Sequence, residues 1–305
     1  MVCLLGGTLA CGDDGSSSEV GGDMNPPQES VSDGTQNLTA KVEVSFQGAP
    51  PVFGLTGDQV ADGWTLEYTK LLVTVGTVTI AAPGAATEEA EVDAVIDLLQ
   101  ASTALRVATV DKLPAGALTA SFTLPDAHDG FTALAGVADE DRARLADNGW
   151  SVYVEGTISK PDGYTCVGDD PPLCTLAPTI RFAWGAAAGA LFEDCPTITL
   201  DEGEVVQRIF TLPGDRWLRT DFQVAGAAPP VLRAQWIADA DTNRDGEATM
   251  DELTAIVARK VLGPRQGYDI RNGAPIPVET LHDFFAAQAM MIGREALGCA
   301  TIQPL

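Results

Sequence analysis

The stretch D-T-N-R-D-G-E-A-T-M-D-E, residues 241–252, sets oxygen-bearing side chains at a spacing that can hold a cation. Asp241, Asn243 and Asp245 occupy its first, third and fifth positions, Gly246 its sixth and Glu252 its twelfth. A calcium ion takes about six to eight oxygens at about 2.3–2.6 Å, from a loop that wraps it without strain. Asp241 would offer a carboxylate at the end of an incoming helix, and Asn243 and Asp245 would add oxygens on the same wrapped face. Gly246 permits the sharp turn that a Cβ would hinder. Glu247, at the seventh position, would contribute its backbone carbonyl. Thr249, at the ninth, would act through its hydroxyl or a water, and Glu252 would close the shell with both oxygens. The competing reading is a polar surface turn.

Such a loop needs a helix on each side. Before it, "GAAPPVLRAQWIADADTN" has a Pro pair suited to opening a helix, then apolar residues at helical spacing. After it, "TMDELTAIVARKVL" and "VETLHDFFAAQAMMIG" read as two further helices. Trp236, Ile237 and Ala240 are expected to face inward before the loop, and Leu253, Ile256 and Val257 after it. Leu281, Phe284, Phe285 and Ile292 form an apolar stripe that reads as core.

With loop and flanks together, this stretch resembles an EF-hand, and the resemblance implies a Ca2+ site. One departure is Ala248 at the eighth position, where EF-hands usually carry Ile, Val or Leu and pair by a short β-bridge with a second loop. The partner candidate is "YDIRNGAPIPVE", residues 268–279, with Asn272, Gly273 and Glu279 at positions five, six and twelve. Tyr268 and Ile270 stand where acids are needed, so this half is expected to pack against the first and bind nothing. A single site of this kind in an exported module has a dissociation constant of about 10⁻⁴–10⁻³ M.

The rest of the chain is strand-like from about residue 38 to 225. "LTAKVEVSF" alternates, with Leu38, Ala40, Val42, Val44 and Phe46 on one face. "WTLEYTKLLVTVGTVTI" reads as a long strand kinked at Gly76 or as a hairpin. Further strands are expected at 92–98, 105–110, 118–124, 151–159, 179–184 and 205–212. One helix, "ADEDRARLADNG", interrupts them, with Gly149 placed to end it. Short strands separated by Gly- and Pro-bearing turns argue for an antiparallel sandwich.

Composition narrows the function classes. The 43 acids against 18 Lys and Arg give a net charge of -25, which repels phosphate backbones and argues against nucleic acid as partner. There is no G-x-S-x-G, H-E-x-x-H, P-loop or dinucleotide fingerprint. The two His, His128 and His282, give little to build a catalytic constellation on, so no enzyme is expected. Hydrophobic residues at 45% supply a substantial core.

The start, "MVCLLGGTLACGDDGSSSEVGGD", resembles the end of a bacterial lipoprotein signal, with Cys11 as the lipidated residue. Thr8 departs from that pattern, as does the absence of Lys or Arg before the apolar run, so the signal reads as truncated. The resemblance implies a protein anchored by lipid in the cell envelope, at the outer membrane or in the periplasm. Outside the signal region, Cys166, Cys174, Cys195 and Cys299 form an even set suited to an oxidising compartment. Three pairings are open. The favoured one joins Cys166 with Cys174, which would staple the loop "CVGDDPPLC", and Cys195 with Cys299, which would tie the C-terminus to the body. Zinc is the weaker alternative, lacking any C-x-x-C.

The runs "GWTLEYTKLLVTVGTVTI", "KLPAGALTASFTL", "WSVYVEGTISK" and "IRFAWG" are similar to bacterial lipoproteins of the MbnP-like kind, whose sandwich domains are associated with copper. Here "RIFTLPGDRW" lacks the His that copper would need, so the resemblance implies architecture only. The expected fold is α+β: a signal at 1–11, a tether at 12–36, an antiparallel β-sandwich at 37–225 and a small helical EF-hand unit at 226–305. The expected function is calcium binding by an exported lipoprotein. The alternative is a surface module for a protein or glycan ligand, with calcium only structural.

Overall fold

Ala40, Val42, Val44 and Phe46 are all fully buried, so the alternation at the start of the β region does place one face in the core. The computed structural model describes residues 39–83, 86–134, 136–167, 173–223, 229–293, 298–299 and 301–305. Leu38, the expected lipidation site Cys11 and the expected tether lie outside the described residues. The described residues all belong to one compact unit.

The strands in chain order begin with β1 (Ala40–Gly48), β2 (Thr65–Val75), β3 (Val78–Ala81), β4 (Thr87–Ala90) and β5 (Ala94–Asp97). Next come β6 (Leu105–Leu113), β7 (Gly116–Leu124), β8 (Thr132–Ala133), β9 (Val152–Ser159), β10 (Tyr164–Val167) and β11 (Leu173–Leu176). The series ends with β12 (Thr179–Ala186), β13 (Ala190–Leu200), β14 (Val205–Leu212), β15 (Glu247–Ala248) and β16 (Thr301–Pro304). The α-helices are α1 (Asp139–Asn148), α2 (Gln235–Asp239), α3 (Met250–Ala255), α4 (Ala258–Val261) and α5 (Leu281–Met290). The chain is therefore mostly β with a few short helices.

Among the described residues the strands form sheets ordered β14-β1-β6, β10-β11, β15-β12-β9-β2-β5-β8 and β16-β13-β7-β3-β4. The pairing is not wholly antiparallel: β1 runs parallel to β14, β12 to β15 and β5 to β8. The segment expected as a kinked strand or hairpin is neither a single strand nor a paired hairpin. It breaks at Gly76, β2 entering the six-stranded sheet and β3 the five-stranded one. A Cβ at Gly76 would lie 2.5 Å from Thr123 Oγ1 and 2.8 Å from Pro125 Cγ, so the crossing needs glycine.

Aromatic rings join the sheets. Phe46 on β1 packs edge-on against Phe122 of β7, with centroids 5.4 Å apart, and Phe122 stacks on Phe192 of β13. Another run goes from Tyr68 through Phe182 and Trp184 to Trp236 and Phe285. Fully burying one such side chain is worth about 1.5–3 kcal/mol. Because this run joins strand residues to helix residues, one large apolar core is shared by β12, α2 and α5.

Helix α1 caps a smaller apolar cluster on the six-stranded sheet, where Leu145 meets Leu72, Val95, Phe131 and Tyr153. Lys70 Nζ on β2 holds the buried Asp141 carboxylate at 2.8 Å. Gly149 ends the helix with φ 63°, the left-handed conformation glycine adopts readily.

Both disulfides join the favoured partners, Cys166 with Cys174 and Cys195 with Cys299. The second ties the segment before β16 to β13, and β16 then pairs with β13 along its length. No helix among the described residues is long and apolar enough to cross a membrane.

Candidate metal centre

Helix α2 delivers Asp241 to the start of the loop. The Pro pair Pro229–Pro230 does not open it. The helix starts at Gln235, where the Asp62 carboxylate accepts from the backbone N–H of Ala234 and Gln235, at 2.9 and 2.8 Å. A carboxylate from elsewhere in the chain thus satisfies the open donors of the first turn. Trp236, Ile237 and Ala240 are buried as expected.

Asp241 is 1% exposed and lies beneath the turn. Its Oδ1 accepts from Asp245 N–H at 3.1 Å and its Oδ2 from Gly246 N–H at 3.0 Å, drawing the loop back over it. Asn243 Oδ1 also accepts from Asp245 N–H, and Asp245 Oδ1 accepts from Glu247 N–H, both at 2.9 Å. These local side-chain bonds supply the turn's backbone pairing in place of a ladder. Gly246 has φ 86°; the nearest atom to a Cβ there is 3.9 Å away, so its left-handed backbone and not space calls for glycine.

Glu247 and Ala248 then form β15, parallel to Arg181 and Phe182 of β12. The Gly246 carbonyl accepts from Arg181 N–H, and the Ala248 carbonyl accepts from Trp184 Nε1 at 2.7 Å. Carbonyls alternate along an extended segment, so that of Glu247 faces away from the strand. Its side chain turns outward to Arg181, 3.3 Å away.

Thr249 caps α3, and Glu252 completes a capping box with it. Glu252 Oε2 accepts from Thr249 N–H and Oγ1, at 2.9 and 2.8 Å. Its Oε1 accepts from Thr242 N–H and Oγ1 and from Asn243 N–H. One carboxylate therefore ties the loop's entry to its exit. Burial pulls Glu252 upward, but the bonds from Thr249, Thr242 and Asn243 outweigh it and hold the carboxyl below its ordinary value. Burial raises Asp241, helped by the charge of Asp245 and opposed by the backbone bonds. Burial also pushes nearby Asp239 up to about 6.

The donors suit a hard cation in kind, being carboxylate, amide, hydroxyl and carbonyl oxygens without thiol or imidazole. Among the described residues, however, no three His, Cys, Asp or Glu side chains form a group that could hold a metal ion. Both Glu252 oxygens are engaged with donors of the loop itself.

The flank after the loop differs from expectation. The single helix expected there is two, α3 and α4, interrupted at Ile256 and Val257. Val257 bridges to Thr280, Ala258 N–H donates to the Glu279 carbonyl and Leu281 N–H to that of Ile256. Leu253 is buried, but Val257 is 38% exposed because the helix ends before it.

The second loop does not pair with Ala248, whose partner is β12. Its Tyr268 is buried edge-on against Phe284, and its turn is organised by Asp269, which accepts from Asn272 Nδ2 at 2.6 Å. The roles of Thr242 and Trp184 depend on contacts that no local sequence pattern records.

No family model matches the chain, and no curated protein matches it. A solved structure with a weak likeness is MbnP from Methylosinus trichosporium, 12% identical, with a TM-score of 0.23, covering 79% of this chain and 96% of that one.

Proposed function

We propose that the chain is an exported calcium-binding protein, with one EF-hand-type loop at residues 241–252 beside a β-sandwich. The observation that carries this reading is the Asp241 carboxylate, folded under the loop and bonded to the fifth and sixth residues. It supports a turn whose first, third and fifth side chains share one face. In this reading Asp241, Asn243, Asp245, Thr249 and the Glu247 carbonyl hold Ca2+, and Glu252 turns from Thr242 and Asn243 to complete the shell. The ion then stabilises the packing of α2 and α3 on β12. External calcium about tenfold above the dissociation constant adds about 1.4 kcal/mol to stability. The role is binding and not catalysis.

The two disulfides support an oxidising compartment. We place the chain at the bacterial cell envelope, anchored to the membrane through lipid on Cys11.

Calorimetric titration of calcium into the chain tests the loop, beside an Asp241→Ala, Glu252→Ala double variant. One ion bound by the wild type and none by the variant is the expected result. No heat and no melting shift at millimolar calcium would leave the loop a polar turn.

A further inference from the structure

The hairpin of β10 and β11 stands apart from the larger sheets. A two-stranded ribbon is marginal alone, and this one is bridged across its strands by Cys166 and Cys174, which sit opposite each other in register. Three consecutive residues of β10 hold the chain that enters the cation loop. Gln235 Nε2 donates to the Tyr164 carbonyl at 2.7 Å, and Cys166 N–H donates to the Asp239 carboxylate at 2.9 Å. Thr165 Oγ1 donates to the Asp241 carbonyl at 3.2 Å, with both residues 1% exposed. The first position of the loop is therefore held by a strand whose pairing a disulfide secures.

The two disulfides differ in access. Cys174 is exposed, whereas Cys195 and Cys299 are 1% and 3% exposed. Thiol–disulfide exchange requires a thiolate to reach sulfur, so a dissolved dithiol meets the hairpin bridge first.

We propose that the Cys166–Cys174 disulfide is a redox control on the cation loop: its reduction by a dithiol frees β10 from α2 and Asp241 and weakens calcium binding. A thiolate of the dithiol attacks Cys174 Sγ, the protein S–S bond breaks, and Cys166 leaves as a thiolate that takes up a proton. The second thiolate of the reagent then attacks its own sulfur in the mixed disulfide. Cys174 is released, and the reagent departs as a cyclic disulfide, two electrons having passed to the protein. The affinity change rests on the calcium reading of the loop; the coupling of hairpin to loop does not.

The test treats the full chain with a mild dithiol without denaturant, locates free thiols by alkylation and mass spectrometry, and measures amide exchange and calcium titration in both forms. Alkylation is expected at Cys166 and Cys174 alone. The Asp245 and Gly246 amides should exchange faster, and calcium affinity should fall at least about fivefold, the lower end of ordinary coupling between sites. A Cys166→Ser, Cys174→Ser variant should reproduce both changes without reductant. Equal exchange and equal affinity in the two forms would overturn the coupling while leaving calcium binding intact. Faster exchange with no calcium heat in either form would overturn the affinity claim together with the calcium reading. Prior opening of Cys195–Cys299 would overturn the selectivity.

Discussion

Trp184 Nε1 donates to the Ala248 carbonyl at 2.7 Å, with both residues fully buried. This bond and the two-residue pairing beside it make the loop's short strand the last strand of the six-stranded sheet. The loop is thereby attached to the main core through β12. Trp184→Phe removes the donor and leaves the buried carbonyl without it, at a cost of about 1–3 kcal/mol. Each kcal/mol lowers Tm by about 2–4 °C in chains of about 150–250 residues. Calorimetry giving an unchanged Tm would show that the bond contributes nothing.

Ala248 occupies a position where a larger aliphatic residue would serve a pair of facing loops. Here it is fully buried against β12, with Phe182 opposite in register. Ala248→Ile should therefore destabilise by about 1–3 kcal/mol through overpacking. A lower urea midpoint is the expected outcome, and a higher one would show that room exists beside the strand.

Glu252→Gln retains much of the shape and an acceptor oxygen but removes the charge. The variant should keep its far-UV circular dichroism and lose measurable calcium heat at millimolar ion. The native carboxyl lies below its ordinary value, so its stabilising contribution is present above the ordinary carboxylate range. That contribution disappears as pH falls through the depressed value. Wild type and variant should accordingly converge in stability under acid; parallel curves down to pH 2 would contradict this.

Asp97, at the end of β5, titrates in the opposite sense. Burial raises its carboxyl, the Asp141 charge adds to the rise, and bonds from Leu99 and Leu71 together with Lys70 oppose it. The folded state thus favours the protonated form. Its penalty is absent below the ordinary carboxylate range and grows as pH rises through the raised value. Asp97→Asn keeps an acceptor for Leu99 N–H, now 3.0 Å from Oδ1. It should be more stable than wild type at pH 7 relative to their difference at pH 3. Melting curves at the two pH values check the sign, and a gain confined to pH 3 would refute it.

Periodicity was a good guide where one face of an element meets the core. The β1 alternation and the stripe of Leu281, Phe284, Phe285 and Ile292 on and just beyond α5 are buried as read. The acidic start and Gly149 end of α1 were likewise legible, because caps are local. β13 is not legible as a strand in the sequence, because its register with β7 shifts between Phe192 and Cys195 and again before Ile198, which blurs the alternation. Ile256 and Val257 continue the apolar pattern of α3, so the sequence reads as one helix where the structure has two. Their backbone instead pairs with the segment around Thr280, an alternative the local pattern does not contain.

The candidate site divides in the same way. Oxygen donors at positions one, three and five, a glycine at six and a threonine three residues before a glutamate are local facts, and they specify the turn and the capping box. From sequence alone came also the even cysteine set and the favoured disulfide partners. Tertiary structure decided that Ala248 pairs with β12, that Asp62 opens α2, and that β10 holds Asp241. Periodicity records which face a residue shows to the core, but not which distant strand or carboxylate lies opposite, because that choice is made by the whole chain competing for the same core.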